Sequence, residues 1–162
     1  MEREQAQAVV REVGTMIGIP DLELDESGAC SLSINEERLR VSILHDADGS
    51  LTIIATLQGV EPTEAVLRGS MEANYLWLGT SGATFCLNGD NDKVTLVQSA
   101  SDAADPQTLM ARLESLVEMA EAWQDEFAEI ELEARGQPQS SERQSDRERD
   151  LSPSSLRNAI EV

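Results

Sequence analysis

Residues 29–58 read ACSLSINEERLRVSILHDADGSLTIIATLQ, and this stretch decides the fold. Within this stretch, three runs have an apolar residue at every second position. Each run therefore has one apolar face, which predicts three half-buried strands. The links, residues 35–36 and 46–49, are too short for a crossover, so the strands are expected to form an antiparallel meander. The apolar positions of the three runs are Cys30, Leu32 and Ile34, then Leu39, Val41 and Ile43, then Leu51, Ile53, Ala55 and Leu57.

Helical patterns flank this meander on both sides. Apolar spacings of three and four residues indicate amphipathic helices, and Asp105 followed by Pro106 is a typical helix start. The order helix–three strands–helix–two strands–helix predicts an α+β fold, with a twisted, mainly antiparallel sheet packed with helices. The sequence predicts helices over residues 3–18, 61–78 and 106–134, and two further strands over residues 83–87 and 94–98.

The chain divides by composition into a domain and a tail. Residues 1–134 hold the periodic segments, whereas residues 135–162 are rich in Gln, Ser, Arg, Asp and Glu and poor in apolar side chains. A segment of that composition buries too little apolar surface to offset its ordering entropy, so a disordered C-terminal tail is predicted. Leu151, Leu156 and Ile160 could form a short helix on a partner, or the terminus could lack structure.

The negative charge belongs to the domain. The whole chain carries 12 basic and 31 acidic residues, a net charge of −19, and 7 basic and 24 acidic residues precede residue 131. A field of this sign repels nucleic acid and attracts basic partners, although it also serves solubility. The N-terminus has no apolar signal core, and no apolar run approaches the roughly 20 residues of a membrane span. These observations predict a cytoplasmic protein that neither binds nucleic acid nor inserts into a membrane.

No arrangement of chemically active side chains resembles a catalytic or metal centre. His45 is the single histidine; it lies at a turn beside Asp46 and Asp48, where ordinary turn chemistry accounts for it better than metal ligation does. Cys30 and Cys86 lie in apolar strand patterns, which favours reduced, buried thiols over a disulfide. The sequence therefore predicts no metal, no cofactor and no enzymatic activity.

Surplus apolar residues point to protein binding instead. Leu44 and Ile54 fall on the polar register of their strands, so either a second layer or a docked partner is expected to cover them. The second helix has a stripe formed by Leu67, Met71, Asn74, Tyr75 and Leu78, with Leu76 and Trp77 beside it. A helix with apolar surface on more than one side offers a surface for self-association, most strongly at Tyr75, Leu76 and Trp77.

The middle of the chain resembles a known family. Its segment 67–74 ends in Ala73-Asn74, Gly79 follows, and residues 82–88 read GATFCLN as an apolar-alternating strand. With the element order, this resembles the class I chaperones of bacterial type III secretion, of the Tir-chaperone type, over residues 1 to about 130. These chaperones usually stop soon after the last helix, and the tail of this chain departs from that pattern.

The resemblance implies a cytoplasmic homodimer around which the N-terminal segment of a secreted effector wraps. It implies a dimer interface made by the second helix and the fourth strand: Leu67, Met71, Tyr75, Leu76, Trp77 and Phe85. It implies effector binding on the first helix and the sheet, and together with the apolar surplus this selects Val10, Val13, Ile17, Leu44 and Ile54. An effector strand could also add to a sheet edge.

The resulting prediction is a type III secretion chaperone that keeps one or more effectors soluble and export-competent. An export-apparatus ATPase or another export component is a further expected partner, contacted through the tail. The alternative is an acidic regulatory or decoy protein that binds a basic partner through charge. Salt separates the two, because a charge-driven complex weakens steeply with ionic strength.

Overall fold

The computed structural model describes residues 1–35, 38–89 and 92–136. Its element order is the predicted one, which confirms the α+β fold. The elements are α1 (Arg3–Met16), β1 (Ala29–Ile34), β2 (Leu39–His45), β3 (Leu51–Leu57), α2 (Glu64–Asn74), a 3₁₀ turn (Tyr75–Trp77), β4 (Thr84–Asn88), β5 (Lys93–Ser99) and α3 (Pro106–Gly136).

The five strands form one antiparallel sheet in the order β1-β2-β3-β5-β4. The predicted meander of β1, β2 and β3 is therefore correct, and β1 and β4 are the two edges. The register aligns one apolar row across all five strands, and these side chains share the inner face of the sheet. That row runs Leu32, Val41, Ala55, Leu96 and Phe85.

The helices pack on the inner face. α3 contacts β2, β3 and β5, and α1 and α2 both pack against α3. The ring of Phe85 meets the rings of Trp123 and Phe127 of α3 at centroid distances of 5.3 Å and 5.5 Å. Within the described residues, no helix packs on the opposite face, which we call the open sheet face.

The side of α2 that is buried is not the side that carries its large apolar stripe. The side chains that α2 buries are the small ones, Val66, Ser70 and Ala73. Gly69 brings this side of α2 close to α3, since a Cβ built there would lie 3.5 Å from the ring of Phe127. Small residues permit that close approach, so the large apolar side chains of α2 point outward.

The end of α2 also differs from the prediction. The helix was expected to continue to residue 78, but it ends at Asn74, whose side chain bonds to the β4 backbone. Asn74 Nδ2 donates to the carbonyl oxygen of Phe85 at 3.1 Å, and the Phe85 N–H donates to Asn74 Oδ1 at 2.8 Å. Leu76 and Trp77 then take positive φ angles of 53° and 54°, a conformation that L side chains rarely adopt.

The predicted boundary between domain and tail stays a prediction. The backbone of α3 continues through residue 136, and residues 137–162 lie outside the described residues. The expected tail and its Leu151, Leu156 and Ile160 therefore have no structural account here.

Candidate functional site

Large apolar side chains stand exposed along α2, the turn that follows it and β4. Tyr75 and Leu78 are 70% and 81% exposed, and six of the nine exposed large apolar residues in the described chain lie in this region. Concentration of this kind marks an interaction surface on a protein that is otherwise charged. We call it the α2 surface, and it comprises Met71, Tyr75, Leu76, Trp77, Leu78 and Leu87.

A shallow groove of about 340 Å³ lies between α2 and β4, next to this surface. Leu67 and Met71 line one wall, and Leu87 and Val94 line the other. Asn74 also lies here, and its two bonds to Phe85 occupy outward-facing backbone groups of the β4 edge. Together, the groove and the α2 surface form one continuous apolar area that extends from α2 to the β4 edge of the sheet.

Phe85, which was predicted to lie in the dimer interface, is not part of the exposed surface. Its side chain is only 6% exposed, because it points to the inner face and packs on Trp123 and Phe127. Leu87, two residues further along β4, points to the same face of the sheet but is 45% exposed. The other predicted interface residues lie on the α2 surface or, for Leu67, in the groove.

The open sheet face carries the apolar pair that the sequence singled out. Leu44 pairs with Thr52 across β2 and β3, and Ile54 pairs with Ser42 on one side and with Val97 on the other. Leu44, Ile54 and Val97 are each half-buried by neighbouring strands. In the described chain no second layer covers them, so they form an apolar strip among serine and threonine side chains.

The first helix exposes fewer of the predicted effector-binding side chains than expected. Val10 and Val13 are 0% exposed, because they lie on the side of α1 that packs into the core. Their predicted role in contacting an effector does not fit these positions. Ile17 is half-buried just beyond the end of α1, and Met16 beside it is 51% exposed.

Among the described residues, nothing pairs with part of the outer edge of β1. The His45 N–H donates to the Gly28 carbonyl at 2.8 Å, which sets the alternation of bonded pairs along β1 and β2. By that alternation the N–H and C=O groups of Ser31 and Ser33 point away from β2. Asp25 occupies the corresponding groups of Ala29 through its backbone N–H and its side-chain Oδ1. Two residues of β1 thus offer a free edge to an added strand.

The titratable groups have structural roles. Burial raises the pKa of the Cys30 thiol to about 11. Four exposed aspartates have a lowered pKa, mainly because each carboxylate accepts a side-chain hydrogen bond in a turn, a cap or an ion pair: Asp25, Asp48, Asp102 and Asp105. Nowhere in residues 1–35, 38–89 and 92–136 are three His, Cys, Asp or Glu side chains grouped as potential metal ligands. Over the same residues no helix combines the length and apolarity of a membrane span.

The model of the Tir chaperone protein (CesT) family matches residues 8–124 of this chain. This match covers α1 through most of α3, and so includes the α2 surface, the open sheet face and the β1 edge. No curated protein matches the sequence significantly.

Three solved structures that contain a similar chain are complexes. A chain of the crystal structure of the ExsC–ExsE complex is 27% identical, with a TM-score of 0.67 over 76% of this chain and 93% of that chain. A chain of the HopA1–SchA chaperone–effector complex is 17% identical, with a TM-score of 0.61 over 76% and 95%. A chain of the Yersinia pestis type III secretion chaperone SycH in complex with a stable fragment of YscM2 is 18% identical, with a TM-score of 0.57 over 73% and 98%.

Proposed function

The chain belongs to the Tir chaperone protein (CesT) family, and we propose that it is a type III secretion chaperone that binds the N-terminal region of one or more effectors. The effector is thereby kept soluble and export-competent. The family match over residues 8–124 carries this proposal, and the similar solved chains come from complexes that include a chaperone–effector pair. A cytoplasmic location is part of the proposal, because a chaperone has to meet its effector before export.

The proposed assembly is a homodimer formed through the α2 surface. Exposed side chains such as Tyr75 and Leu78 supply apolar area that a second copy would remove from water. The strained turn at Leu76 and Trp77 holds two large apolar side chains outward, at 65% and 55% exposure. Strain of this type persists where the surrounding contacts offset it, which supports an interface at this position.

The effector is proposed to bind as an extended segment at β1 and on the open sheet face. The backbone groups of Ser31 and Ser33 can hydrogen-bond to nearly any sequence, because main-chain pairing does not depend on side chains. Leu44 and Ile54 then supply the apolar contacts that select particular effector residues. Ile17 remains the proposed contribution of the first helix, since Val10 and Val13 are buried.

The strong negative charge has a supporting role in this scheme. The net charge of −19 attracts basic segments over long distances. The alternative of an acidic decoy that binds through charge alone finds no support in the family match. No catalytic step is proposed, and contact of residues 135–162 with an export ATPase or another export component stays a prediction.

The test is co-purification of the native complex followed by identification of the bound protein by mass spectrometry. We expect a secreted protein, held through its N-terminal region and retained at high salt, since apolar contacts are weakly screened. Ile54→Asp should lose this protein and keep the thermal stability, because Ile54 lies on the open sheet face.

Leu132→Asp is the matched control, because Leu132 is 67% exposed on α3 and far in sequence from the sheet. A bound protein that dissociates at moderate salt, or that tolerates Ile54→Asp and not Leu132→Asp, would contradict the proposed binding mode.

A further inference from the structure

A polar cleft lies at the corner where β5 leads into α3. It has a volume of about 660 Å³, and it shares no residue with the α2 surface or the open sheet face. The groove beside α2 has mainly apolar walls, whereas this cleft has mainly polar ones. We call it the β5–α3 cleft, and its main lining residues are Ser81, Gln98, Asp102, Thr108, Arg112 and Ser115.

Gln98 is the unusual member of this cleft. The residue is only 7% exposed, and its Oε1 finds no hydrogen-bond partner in the described part of the chain. Its Nε2 donates to the carbonyl oxygen of Ser81 over a long distance of 3.5 Å. A buried amide oxygen without a partner is destabilising, and most proteins avoid one. The buried Gln124 of α3 also has an unpartnered Oε1, but of the two glutamines only Gln98 lines this cleft.

The neighbours of Gln98 make the cleft rich in hydrogen-bond acceptors. Asp102 Oδ2 accepts from Arg112 Nη2 at 2.6 Å. Asp105 uses its two oxygens to bind the N–H and the hydroxyl of Thr108 at 3.0 Å and 2.6 Å. Two carboxylates, one guanidinium and the unpartnered amide oxygen of Gln98 thus line the same cleft.

A donor-rich cation fits this arrangement. A guanidinium presents five N–H groups in one plane, so it can serve two acceptors on different side chains at once, whereas an ammonium is a compact point charge. The net charge of −19 attracts such a group. We propose that the β5–α3 cleft binds an arginine side chain of the protein that the chaperone carries, a partner whose existence rests on the function proposed above.

The experiment is an NMR titration with N-acetyl-arginine amide, with the neutral isostere N-acetyl-citrulline amide as the matched probe. We expect the side-chain amide signals of Gln98 and the guanidinium signal of Arg112 to shift and saturate with the arginine compound only. Gln98→Met should weaken this binding roughly tenfold or more, because a hydrogen bond to a charged group is lost. Equal shifts with both compounds, or none with either, would overturn the proposal.

A second glutamine provides the control for folding. Gln124 is 5% exposed, and its Nε2 donates to the carbonyl oxygens of Arg38 and Gln58 at 2.8 Å and 3.1 Å. Gln124→Met should lose thermal stability and keep arginine binding, whereas Gln98→Met should keep its stability and lose arginine binding. A loss of stability in Gln98→Met with unchanged arginine binding would show that Gln98 is only structural.

The exposed Asp102 keeps the test decisive if Gln98→Met does not fold. Asp102→Asn leaves the core untouched and should weaken arginine binding, and unchanged binding in this variant would count against the cleft. The probe is a small molecule and needs no effector. Failure of the titration would therefore leave the chaperone function standing, and absence of an effector would leave the titration readable.

Discussion

Met71→Ser is expected to weaken the proposed dimer by about two powers of ten in its dissociation constant. Met71 lies on the outer side of α2 and is 74% exposed. Fully burying a methionine contributes about 2 kcal/mol, so covering this exposed share contributes about 1.5 kcal/mol. A two-fold interface uses the residue twice, which brings the loss to about 3 kcal/mol for the dimer.

The fold of each subunit should survive this change, because Ser in a helix costs only about 0.5 kcal/mol relative to Met. The assay is sedimentation equilibrium over a dilution series, with circular dichroism to verify the helices. Leu132→Ser is the control, since it removes an equally large side chain that is 67% exposed on α3. The reasoning is refuted if Met71→Ser dimerises like the wild type, or if Leu132→Ser weakens the dimer as much.

Three further predictions concern stability and thiol chemistry. Gly14→Ala should destabilise the fold by about 1–3 kcal/mol in urea unfolding, because overpacking is costly and the new Cβ would lie 2.5 Å from a backbone oxygen. Gly89→Ala is the control and should be neutral, because a Cβ at that position meets nothing within 4 Å. The hydrogen bonds that Asp105 accepts from the hydroxyl and the N–H of Thr108 lower its pKa. The carboxylate therefore contributes stability above its unfolded pKa of about 3.9, and this contribution is lost as the pH falls from there through the lower pKa of the folded state. Asp105→Asn should therefore flatten the acid limb of the pH–stability curve, and an unchanged limb would contradict this. Cys86 should react rapidly with a thiol reagent and Cys30 only on unfolding, because Cys86 is exposed and burial raises the pKa of Cys30 to about 11; equal rates for the native protein would contradict the burial of Cys30.

The strands and helices could be predicted because their signals are local. The alternation in residues 29–58 follows from the pleat of a strand, and the short links leave antiparallel pairing as the available topology. The place of Leu44 and Ile54 on the polar register was also visible, although the sequence left open whether a second layer covers them. The surplus at Tyr75, Leu76 and Trp77 was visible in the same way, and all three are exposed.

Other features depend on residues that are distant in the chain. The inward side of α2 is chosen by how closely Gly69 can approach Phe127, 58 positions later, so the larger stripe was left outside. Phe85 is buried because Trp123 and Phe127 pack on it, although the family resemblance had placed it in the dimer interface. The β5–α3 cleft likewise had no sequence signal, since it joins a loop, a strand end and the start of a helix.

The sequence by itself determined the element order, the half-buried character of the strands, the acidic domain and the family resemblance. Periodicity does this because it defines the faces of each helix and strand. Only the tertiary structure decided which faces are covered, and so assigned Val10, Val13 and Phe85 to the core and Leu78, Leu87 and Val97 to the surface. Coverage depends on the close packing of elements that are far apart in sequence, and no local pattern contains that information.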